Sequence, residues 1–205
     1  MLIEEYSFCS DKVIICHTTY DKFGRLEMAK QTVMRSVRIS RELDNVLRRD
    51  AENSGISFSA LVSEIFTKYA EWDRLANKFG VVTQSRSSFR GMWEIVGKEK
   101  AVSMGKEGGS SAATEVAQFW FKRLNTRSFF KLIELFAKYT KSFEYEVESR
   151  DERDYMITVH HDINETYSIF LKNWFESAIQ IFVGVTPSTK VSLNSIVVTF
   201  RESHI

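Results

Sequence analysis

Along the chain the spacing of apolar residues changes period several times, and each change predicts an element. Val33-Met34-Arg35-Ser36-Val37-Arg38-Ile39-Ser40 alternates in the period of a strand. Ser40 is suited to cap a helix that follows directly. In that helix Leu43, Val46, Leu47 and Ala51 recur at three- and four-residue spacing, and Asn53-Ser54-Gly55 stops it with a glycine fit for a left-handed cap. Ser57 then caps a second helix, in which Phe58, Leu61, Val62, Ile65, Phe66, Tyr69 and Trp72 keep one apolar face for about four turns. This helix has room to continue to Phe79 before Gly80 ends it.

From Val81 the texture changes, and Gln84-Ser85-Arg86-Ser87-Ser88 reads as a polar connection. Phe89, Met92, Trp93 and Val96 predict one short helix, Val116, Ala117, Trp120 and Leu124 another, and Phe129, Phe130, Ile133, Phe136 and Ala137 a third. Gly108-Gly109-Ser110-Ser111 is expected to break the chain between the first two. The period then drops to two, at Phe143-Glu144-Tyr145-Glu146-Val147-Glu148 and again from Tyr155 to His161, which predicts an antiparallel hairpin with one wet face. A long helix from about Asn164 buries Tyr167, Phe170, Trp174, Phe175, Ala178 and Phe182, and a last strand runs from Ser195 to Phe200. The expected fold class is α+β. Residues 1–32 form an N-terminal leader read as a flexible arm, 33–80 a small strand-helix-helix module, and 86–205 an α+β domain with helices on a small antiparallel sheet.

Strand, helix, glycine turn and helix in this order resemble the ribbon-helix-helix family of DNA-binding repressors, the class of Arc, MetJ and CopG. The residues that carry the likeness are Arg35-Ser36-Val37-Arg38-Ile39-Ser40 and the turn Gly55-Ile56-Ser57-Phe58-Ser59-Ala60, which is similar to the Gly-apolar-Ser-x-Ser turn of CopG-like members. A strand and two helices of this size cannot bury their apolar faces alone, so a homodimer is expected, with Val37, Ile39, Leu47, Val62, Ile65 and Phe66 in a core shared across the two-fold axis. With Val37 and Ile39 inward, Met34, Ser36 and Arg38 face out and are expected to read base edges in the major groove of double-stranded DNA. The guanidinium of Arg38 suits the O6 and N7 of guanine. A one-residue slip would expose two aliphatics and bury an arginine, and the hydrophobic pattern rejects it. The resemblance further implies that Ser57, Phe58 and Ser59, at the start of the second helix, hold the DNA backbone. Arg35 and Arg41 flank the ribbon as further phosphate contacts.

Charge and composition change this picture little. The 205 residues are 43% hydrophobic and 13% aromatic, enough for a well-buried core, and a net charge of +1 means that any attraction to nucleic acid is local. Only Cys9 and Cys16 occur, so nothing requires disulfides, and no apolar run approaches a membrane span; a cytoplasmic protein with no membrane partner is expected.

The second half is larger than DNA binding requires, and it is expected to sense a small-molecule effector or to build higher oligomers. Nickel regulators join a ribbon-helix-helix module to a C-terminal α+β domain, yet here the second half offers only His160, His161 and His204 and no cysteine. Adjacent histidines on a strand point to opposite faces, so no metal or other cofactor is expected, and His161 is assigned a structural hydrogen bond. No nucleophile motif, phosphate loop or paired-carboxylate arrangement stands in context, and the chain is not read as an enzyme. The reading is therefore a sequence-specific transcriptional regulator of prokaryotic type. The alternative is the antitoxin of a toxin-antitoxin pair that controls its own operon, although such tails are usually disordered until bound.

Overall fold

A computed structural model describes residues 19–20, 26–27, 33–149, 151 and 153–203. Cys9, Cys16, the apolar run at 13–16 and His204 lie outside the described residues. The chain divides into two compact units, Met1–Ser54 and Gly55–Ile205.

In the first unit, Thr19–Tyr20 (β1) pairs antiparallel with Leu26–Glu27 (β2). Residues 33–40 adopt no regular element and every one of them is exposed. Helix α1 follows at Arg41–Asn53. Its start is where the sequence places it, because Ser40 is extended and its Oγ accepts the Leu43 N–H at 3.2 Å. Its end is the expected one too, with Gly55 at φ 66° just beyond.

The second unit opens with α2 (Phe58–Lys68), capped by the Ser57 Oγ, which accepts the Ala60 N–H at 3.1 Å. The helix does not stop there. It widens into a π turn at Tyr69–Asp73 and resumes as α3 (Arg74–Phe79), which Gly80 closes at φ 71°. After the connection at 81–85 come α4 (Arg86–Ile95) and α5 (Lys98–Glu107). A second π turn, Gly108–Ala112, leads straight into α6 (Ala113–Phe121), and α7 (Thr126–Thr140) begins at a capping box made by Asn125 and Ser128. Strands β3 (Glu144–Ser149) and β4 (Asp154–His160) form the expected hairpin. Helix α8 (Glu165–Phe182), then β5 (Ser188–Val191) and β6 (Ser195–Arg201) complete the unit.

The sheet is antiparallel throughout, in the order β3-β4-β6-β5. The chain leaves β4 through α8, returns at the far edge as β5, and inserts β6 between them. Ile157, Val159, Ile196 and Val198 are fully buried and share one core with Phe129, Leu132 and Ile133 of α7 and Phe175, Ala178 and Ile179 of α8. Glu144, Glu146 and Glu148 alternate outward along β3, while Tyr145 and Val147 pack on the core.

Three details of the pattern reading are corrected. The Gly108–Ser111 stretch does not interrupt the chain, because a helical path carries through it. Its Gly109 and the Gly105 of α5 serve packing: a Cβ on Gly105 would lie 2.5 Å from the Phe170 carbonyl oxygen, and one on Gly109 would overlap the backbone of Trp174, so α5 and its π turn lie directly against α8. The spacing gave no sign of α5, since it buries only Ala101 and Gly105 and has no stripe of large apolar residues. Leu124 falls beyond α6, which ends at Lys122 in the left-handed conformation.

Candidate nucleic-acid interface

The residues expected to touch bases lie in the first unit. Met34, Arg35, Ser36 and Arg38 are exposed, with Met34 at 91%, and the Arg35 guanidinium donates to the Met34 carbonyl at 3.0 Å. Val37 and Ile39 are exposed as well, so the alternation that should send them inward finds nothing to cover them within a single chain. The same holds across the set expected in a dimer core. Leu47 and Val62 are half-buried, Ile65 and Phe66 are exposed, and none of the six is buried. In residues 33–68 only Ala51 is buried.

The helix starts separate into two kinds. A helix N-terminus presents unsatisfied N–H groups and a positive dipole end, which together attract an anion. At α1 this field is already met by Glu42 and Asp44 in the first turn. At α2 the first turn, opened by Ser57, Phe58 and Ser59, contains no acid, and Ser57 and Ser59 are exposed. Of the two helix starts, α2 is therefore the one electrostatically suited to a phosphate. Arg41 is the first residue of α1, at the end where a cation gains nothing from the helix dipole. Arg35, Arg38 and Arg41 belong to the first unit, and Ser57, Phe58 and Ser59 to the second.

Beyond the π turn, Trp72 and Ala76 are buried in a cluster with Leu135, Trp120, Phe136 and Tyr139. The Trp72 ring meets Trp120 and Phe136 edge-on at 5.3 and 5.4 Å and stacks on Tyr139 at 5.6 Å. Glu71 beside it accepts from Lys138 Nζ at 2.9 Å and from Tyr139 OH at 2.7 Å. These two hydrogen bonds hold its carboxyl below the usual carboxylate range, the Lys138 bond being the larger cause. The π turn and α3 are thus anchored to α6 and α7. Contacts across 67 and 68 residues leave no local signal in a sequence.

The histidines behave as adjacent strand residues should, His160 exposed and His161 buried. The Ser168 hydroxyl donates to the Leu193 carbonyl at 2.9 Å and so accepts from His161 Nε2 at 2.8 Å, while His161 Nδ1 accepts the Ile163 N–H at 3.2 Å. Burial pushes the imidazole down to about 4, and this geometry fits the neutral ring. The expected structural hydrogen bond is present. Asp162 serves a different purpose, pairing with Arg86 and Arg90 to tie α4 to the loop before α8. Among the described residues no group of three His, Cys, Asp or Glu side chains is placed to hold a metal, and no helix is long and apolar enough to cross a membrane. Comparisons with protein-family models, with curated proteins and with solved structures found no match.

Proposed function

We propose that this chain is a dimeric, sequence-specific DNA-binding transcriptional regulator of the ribbon-helix-helix type. The observation that carries the reading is the unburied state of residues 33–68: a strand-like alternation and two amphipathic helices in which a single residue, Ala51, is buried in one chain. Apolar stripes at strand and helix spacing that stay exposed in the monomer call for a second copy, since the same stripes are self-complementary about a two-fold axis. Two chains pair residues 33–40 antiparallel, turning Val37 and Ile39 inward and Met34, Ser36 and Arg38 into the major groove. Arg38 grips a guanine, Ser36 donates or accepts at several bases, and Met34 touches a thymine methyl. Arg35 and Arg41, with Ser57, Phe58 and Ser59 at the acid-free start of α2, hold the phosphates on either side. The α+β body is a unit for effector sensing or for joining dimers into a higher oligomer. The test is selection of duplexes from a randomised pool at fixed salt, with the mass of the free protein measured in parallel. A dimer that enriches a palindromic or repeated short site supports the reading, and a monomer that enriches nothing overturns it.

A further inference from the structure

In the sequence, Val62, Ile65, Phe66, Tyr69, Trp72 and Ala76 fall on one stripe, spaced by three and four residues as a continuous α-helix requires. The structure splits that stripe. Ile65, Phe66 and Tyr69 are exposed, the last two at 59% and 60%, whereas Trp72 and Ala76 are buried at 6% and 5% in the cluster with Trp120, Phe136 and Tyr139. The split falls at the π turn Tyr69–Asp73. A π turn bonds i to i+5 and accommodates one residue more than an α turn, so the downstream residues lag by roughly one residue step, about 100°. One apolar stripe becomes two faces pointing in different directions.

We infer that this π turn is a phase shifter that lets one helix serve two cores, its upstream face docking a second copy of this chain while its downstream end is anchored in its own α+β body. This rests on the dimer reading and adds to it a path of communication. The helix that starts at Ser57 runs without a break to the Trp72 cluster, so a rearrangement of α6 or α7 moves the paired α2 helices and the Ser57 end with them. Two features single out the π turn as the joint. Glu71 lies inside it and is held from α7 by Lys138 and Tyr139, and α2 upstream of it contains no buried residue. The occupant of the upstream face is a second copy because residues 33–40, with their exposed alternation, also need a partner strand, and an identical strand supplies the matching register.

Deleting Ala70, an exposed residue of the turn, restores a plain α-helix and brings the two faces back into line. In the full chain the aromatic cluster and the dimer can then no longer both be satisfied. Sedimentation equilibrium should show dimer affinity weakened at least tenfold, or the near-ultraviolet circular dichroism of the Trp72 cluster should be lost. Point substitutions that keep the helix give a second reading: Phe66→Asp should yield a monomer with the near-ultraviolet bands intact, and Trp72→Leu should alter those bands and weaken the dimer severalfold. A wild-type chain that is itself monomeric overturns the dimer reading and this inference with it. A dimeric wild type whose Ala70 deletion keeps both full affinity and the bands overturns the phase shifter alone, and one whose Phe66→Asp variant stays a tight dimer overturns the phase shifter together with the placing of Phe66 in the dimer core.

Discussion

Arg38 and Arg41 are three residues apart, and the proposed reading gives them different work. Arg38 is in the exposed alternating segment and Arg41 opens α1. Arg38→Ala should cost about 1 to 3 kcal/mol on a selected site and relax base preference at one position per half-site, while Arg41→Ala should weaken selected and scrambled duplexes alike and flatten the salt dependence. Titrations on the two duplexes decide between them, and an Arg38→Ala protein with unchanged preference contradicts the assignment. His161 leads to a prediction about acid. Its ring is held neutral to about pH 4, whereas in an unfolded chain it takes up a proton near 6.5. The unfolded state thus binds more protons between those values, so stability is lost as pH falls from about 6.5 towards 4 and the loss levels off below, at a total on the order of 3 kcal/mol. His161→Gln, with no proton to gain, should show a flatter dependence in urea melts at pH 7, 5.5 and 4.5. An unchanged slope would contradict the buried neutral ring.

At the scale of elements, the contact between α5 and α8 depends on the absence of side chains. Gly105→Ala places a methyl against the Phe170 carbonyl and should destabilise the protein by about 1 to 3 kcal/mol, read as a fall in melting temperature with secondary structure retained. A control inside α4, Gly91→Ala, meets nothing within 4 Å and should not destabilise the protein. The same contact marks the limit of what the sequence could tell. Caps and large apolar stripes are local, so Ser40, Gly55, Ser57 and Gly80 locate the ends of the first helices, and the hairpin and α8 were legible from period alone. Glycine contacts depend on a neighbour about 65 residues away, and the pair Gly108-Gly109 reads as a break until α8 is beside it. The π turn was hidden for the opposite reason: an unbroken apolar period predicts a plain helix, and the wider backbone bonding at Tyr69–Asp73 leaves no mark in that period. Of the candidate interface, the exposure of Met34, Ser36 and Arg38 and the capped start of α2 were readable, whereas Val37 and Ile39, expected to face inward, are exposed in the single chain. The electrostatic difference between the starts of α1 and α2 followed once the helix bounds were known.

For the molecule as a whole, the division at residue 54 says what should fold alone. Residues 55–205 hold the main core and the Trp72 cluster, so that fragment should be folded without DNA or any partner, with a dispersed amide spectrum. Shortening it to 86–205 removes Trp72 and Ala76 and uncovers Leu135, Trp120 and Phe136. The shorter fragment should lose about 3 to 5 kcal/mol, the usual cost of deleting a large buried aromatic residue. A disordered 55–205 fragment would instead favour a tail that orders only on a partner. The alternating glutamates of β3 bear on assembly. That strand borders the sheet, and a row of like charges along a border repels an incoming copy of itself. The opposite border, β5, is only 4 residues long and includes Lys190. The sheet borders are thus blunt, and on the proposed reading association runs through residues 33–68, two copies facing each other about a two-fold axis. A contact of that kind uses up its own surface, so at high concentration the protein should saturate as discrete species, dimers or dimers joined through the body, instead of growing into fibres.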